Sequence, residues 1–110
     1  MARPLPYGAV ISAAIVAIER EYGGRVDTTV KEITAWMEEH SHLFAATLAT
    51  THWKTAVRRC LFQSACFQAG ANKLSWRLDH SKLTISAKAV VRKLECYWQR
   101  HPNASMKVRD

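Results

Sequence analysis

Between residues 51 and 67 the chain reads THWKTAVRRCLFQSACF, and the residue types that could contact another molecule fall on one side of it. At about 100° per residue, Trp53, Val57, Cys60, Leu61 and Ser64 share one face of a helix, while Thr51, Thr55, Arg58, Arg59 and Phe62 share the opposite face. The first set is apolar or small, as a core stripe must be. The second set mixes hydroxyls, two guanidinium groups and an aromatic ring where a solvated face ordinarily carries Glu and Lys. Arg58 and Arg59, flanked by Lys54, have the chemistry to contact guanine O6/N7 or phosphates, and Thr51 and Thr55 can bond backbone oxygens. Phe62 suits a thymine methyl or a protein interface. The plainer alternatives are a solvated helix face and a stray exposed ring.

Charge placement points the same way. Residues 1–53 hold four Lys/Arg against six Asp/Glu, and residues 54–110 hold twelve against three, so the halves carry −2 and +9. A basic block that begins at this helix suggests a polyanion, with nucleic acid ahead of an acidic membrane surface. Lys73 and Arg77 follow it as phosphate contacts, and Lys82, Lys88, Arg92 and Lys93 read either as further contacts or as plain solubility.

Other chemistries have little to stand on. There is no Gly-rich phosphate loop, no G-x-S-x-G and no nucleophile–base pairing in sequence, so no catalytic residue, and no enzyme, is expected. Three cysteines without a CxxC pair signal neither a disulfide framework nor a zinc ribbon, and fit a reducing intracellular compartment. His40 and His42 are a weak metal pair without supporting cysteines; no metal and no cofactor are expected. Residues 9–18 are apolar but too short to span a bilayer.

The elements that position the helix are marked by local signals. A chain of 110 residues with 48% hydrophobic content is one domain, here residues 1–100, with 101–110 as a flexible C-terminal tail. Pro6 belongs in the first turn of a helix whose apolar residues are Val10, Ile11, Ala14, Ile15, Ile18 and Tyr22. Gly23 and Gly24 stop it, and residues 25–28 form a β-prone link able to pair as an edge strand. Thr29 and Glu32 make a capping box for a second helix with Val30, Ile33, Trp36 and Met37 inward, ending near Ser41, after which Leu43 and Phe44 tuck onto the core. Residues 45–50 are a turn or a loop. Thr50 or Thr51 caps the third helix, which runs to about Ser64. Residues 65–68 and 74–78 alternate as strands of a hairpin around Gly70 and Asn72. A fourth helix starts at Ser81 or Thr84 and buries Leu83, Ala87, Val90, Val91, Leu94 and Trp98. The expected fold class is mainly α with a small β-hairpin, a winged helix-turn-helix with a three-helix core, a short wing and an extra C-terminal helix, whose third helix docks in a DNA major groove.

In this order of elements, residues 6–80 resemble the forkhead family of winged-helix transcription factors. Pro6-Tyr7 is similar to the Pro-Tyr that opens the forkhead domain, and TVKEITAWM at 29–37 to the family's second helix. Trp53, Val57, Arg58, Leu61, Cys66 and Phe67 fall at the spacing of W-Q-N-S-I-R-H-N-L-S-x-N-x-C-F, and Ser75-Trp76-Arg77-Leu78 is similar to the Y-W-T-L strand. The resemblance implies a nuclear, sequence-specific double-stranded DNA-binding domain of a transcription regulator, and a monomer is expected. The family's base-reading Asn, Arg-His pair and Ser correspond here to Thr55, Arg58-Arg59 and Phe62, so Arg58 alone is kept. Thr55 cannot make a bidentate adenine contact, and the family's target sequence does not carry over. The alternative expectation is a winged-helix protein-interaction module, with a protein partner at Phe62, that has lost specific DNA reading.

Overall fold

The computed structural model describes residues 6–24, 27–49, 51–71 and 75–100, with Leu43 through its backbone alone. The expectations for the wing residue Lys73, the cap Thr50, the Leu43 side chain and the 101–110 tail lie outside the described residues.

Helix α1 (Tyr7–Tyr22) is the centre of the molecule. Every residue from Ala9 to Glu19 is buried, because α1 packs against three other helices and a strand. That explains an apolar run too continuous for an amphipathic surface helix. The buried Ser12 hydroxyl donates to the Gly8 carbonyl at 2.8 Å, which removes the cost of an unmet polar group. Pro6 stands one residue ahead of the helix, outside its first turn, and its carbonyl accepts the Ala9 and Val10 amides. The helix ends where Gly23 takes φ 80°, with the Gly23 amide donating to Arg20 and the Gly24 amide to Glu19.

Strand β1 (Thr28–Thr29) leads into α2 (Val30–Glu39). The capping box is formed in both directions: the Glu32 amide donates to Thr29 Oγ1 at 3.1 Å and the Thr29 amide to Glu32 Oε1 at 3.0 Å. Ile33, Trp36 and Met37 are buried, and His40 stacks on Trp36 with ring centroids 4.4 Å apart. Two 3-10 turns, Ser41–Leu43 and Thr47–Ala49, carry the chain over buried Phe44 to α3 (Trp53–Gln63). The residue ahead of α3 is His52, which makes no side-chain capping bond, and Thr51 is an exposed turn residue instead of the expected cap.

Strands β2 (Phe67–Ala69) and β3 (Ser75–Leu78) pair antiparallel, and β3 pairs on its other edge with β1. The result is a three-stranded antiparallel sheet in the order β1–β3–β2, one strand more than a simple hairpin. A 3-10 turn at His80–Lys82 precedes α4 (Ile85–Arg100). Thr84 caps α4 by accepting the Ala87 amide at 3.1 Å. Ala87, Val90, Leu94 and Trp98 bury against the core, with α1 as the main neighbour of α4. The fold is thus mainly α with a small antiparallel sheet, and no helix among the described residues is long and apolar enough to cross a membrane.

Candidate functional site

Val57 and Leu61 fix the rotation of α3, because both are buried to within 1%. Trp53, expected in the core, is half-buried and packs against its edge, as does Cys60. With that phase set, Thr51, Lys54, Thr55, Arg58, Arg59 and Phe62 are all exposed, Phe62 to 77%. The exposed ring is not isolated, since it meets the buried Trp76 edge-on at 5.0 Å and 88°.

The cations differ in what already holds them. Lys54 Nζ lies 2.7 Å from Glu38 of α2, with both side chains more than half exposed. An exposed pair of this kind is worth about 0.2–1 kcal/mol and yields to a stronger partner. Arg77, expected to reach phosphate, instead places Nε 2.8 Å from Asp27 Oδ1. Asp27 Oδ2 accepts the Ala71 amide at 2.9 Å. Asp27 therefore ties the chain before β1 to both arms of the hairpin. That amide, and then the Arg77 guanidinium, hold its carboxyl below the ordinary carboxylate range. Arg58 and Arg59 have no ion-pair partner among the described residues.

Beside α3 runs a groove of about 780 Å³ whose lining includes Lys54, Thr55, Arg58 and Phe62 from α3, Val30, Lys31 and Thr34 from α2, and Trp76 from β3. Lys31, Thr34 and Trp76 were not singled out for this surface by sequence reasoning. Only Trp76 carried a signal, as a core residue two positions from the end of a short strand. Lys73 lies outside the described residues.

The remaining candidates stay apart from this surface. His40 is occupied by stacking on Trp36, and its Nδ1 lies 2.8 Å from the Trp36 carbonyl. No group of three metal-ligating side chains is found among the described residues. Cys66 is buried beside the Ser64 hydroxyl, and the half-buried Cys60 thiol is pushed up by burial and by the nearby Cys66. No family model, curated sequence or solved structure matches the chain.

Proposed function

We propose that the chain is a divergent winged helix of the forkhead type that binds duplex DNA in the nucleus, with the outward face of α3 in the major groove. The observation that carries this reading is the pair Arg58 and Arg59, exposed and without an acidic partner among the described residues, on a helix whose other outward groups are Thr51, Thr55 and Phe62. The order helix, strand, helix, helix, strand, strand and the sheet order β1–β3–β2 support the winged-helix part. Arg77 serves the scaffold in this reading, so phosphate contact rests on α3.

If Lys54, Arg58 and Arg59 each neutralise one phosphate, log affinity falls with log salt at a slope of about −2.7. Between 50 and 200 mM salt that is a loss of roughly fortyfold. Anisotropy titration of a labelled random duplex at the two concentrations tests it; a salt-independent or absent association rejects it. Phe62 favours a second reading, a protein-interaction module, because a ring 77% exposed leaves part of a burial free energy of about 1.5–3 kcal/mol uncollected.

A further inference from the structure

We infer that the groove between α2 and α3 is a docking site for a short acidic segment of a partner protein that carries one bulky apolar residue. The inference goes beyond the DNA reading, with which it shares Lys54, Thr55, Arg58 and Phe62, and does not require it.

One end of the groove is apolar. Val30, the exposed Phe62 and the Trp76 behind it form a surface on which an aliphatic or aromatic side chain gains burial. Lys31, Lys54 and Arg58 line the rest with Thr29, Thr34 and Thr55, and none of the described lining residues is acidic. Lys54 is engaged by Glu38, whereas Lys31 and Arg58 have no ion-pair partner among the described residues and are placed to meet carboxylates. A complementary occupant is therefore acidic, and truncating its charge would leave the two cations unmet.

Dimensions favour a single peptide chain. Lys54, Arg58 and Phe62 recur every fourth residue along α3, a span of about 12 Å at 1.5 Å per residue. About four extended residues cover that length at roughly 3.3 Å each. Thr55 supplies an exposed hydroxyl for the peptide backbone. A duplex meets a helix from outside and cannot lower its base edges between two packed helices whose axes lie about 8–10 Å apart.

The test is selection of random decapeptides displayed on phage against the whole chain, followed by anisotropy titration of the recovered peptides. The expected peptides carry two or more Asp/Glu around a bulky apolar residue. Their affinity falls about fivefold or more in Lys31→Gln and in Phe62→Ala, and stays unchanged in Arg100→Gln, which removes a cation from the far end of α4. Recovery of peptides without acidic enrichment, or indifference to Lys31→Gln and Phe62→Ala, overturns the inference. So does binding of an oligothymidine lost in Phe62→Ala when no peptide is recovered, which would give the groove to single-stranded nucleic acid. A concentration-dependent dimer in sedimentation, abolished by Phe62→Ala, would give it to a second copy and likewise overturn the inference. Loss of the peptide result with duplex binding intact removes this inference alone, and the converse removes only the DNA reading.

Discussion

Unlike Lys54 and Arg77, Arg58 and Arg59 have no ion-pair partner among the described residues to give up when a ligand arrives. Lys54 must leave Glu38, and Arg77 must leave Asp27 and loosen the hairpin with it. Arg58→Ala and Arg59→Ala are each expected to reduce the salt slope of duplex binding by about 0.9. Stability should change by less than about 0.5 kcal/mol, since neither side chain packs on the core. Titration at several salt concentrations beside a urea melt separates the two effects; an unchanged slope would take α3 out of the interface. Gly70 poses a different residue-scale problem. A Cβ added there would run into the Ser75 hydroxyl and the Asp27 carboxylate, the latter held by the Ala71 amide and Arg77. Gly70→Ala should therefore cost about 1–3 kcal/mol, read as a lower urea midpoint.

At the scale of elements, the capping box, the Gly23-Gly24 stop and the apolar stripes are legible in the sequence because each involves residues within one or two helical turns. Thr29 and Glu32 are three residues apart, and the backbone alone brings them together. Asp27 and Arg77 are fifty apart, and nothing in their local sequence pairs them. A still longer separation, sixty-one residues, hides the Glu19–His80 contact, in which a buried carboxylate near the end of α1 meets His80 Nε2, in the turn before α4, at 2.9 Å. The Asp27 link has a pH signature. Its carboxyl titrates lower in the fold than its ordinary value of 3.8, so the fold favours the charged form. The contribution is complete above that value and is lost as pH falls through the lower, folded value. Wild type should exceed Asp27→Asn in urea midpoint at pH 6, and the difference should shrink as the pH is taken below 3.8. A gap that stays constant across the range would mean that Asp27 acts by shape and not by charge.

At the scale of the molecule, stability is concentrated around α1. Trp36 of α2 is fully buried beside Phe44 and His40, whereas Trp53 lies at the margin with Lys54 over its ring. Trp36→Ala should cost about 3–5 kcal/mol through the cavity it leaves. Trp53→Ala should cost clearly less, because water fills part of the space. Thermal melts of the two variants check the order, and equal losses would require a more deeply seated Trp53 than the half-buried ring observed.

The amino-acid sequence by itself determined that helices α1 to α4 form, most of the residues that face inward on them, and therefore which side of α3 is left exposed, though not the start of α3, where His52 stands in place of the expected threonine cap. Those properties follow from backbone geometry and the period of apolar residues, and both are local. The tertiary structure alone decided that Trp53 sits at the edge of the core, that the edge strand β1 pairs with β3, that Arg77 is held by Asp27 while Arg58 and Arg59 have no ion-pair partner among the described residues, and that Lys31 and Trp76 share a groove with Phe62. Each of these depends on how far apart in space the chain places residues that are distant along it, and packing against α1 sets that distance.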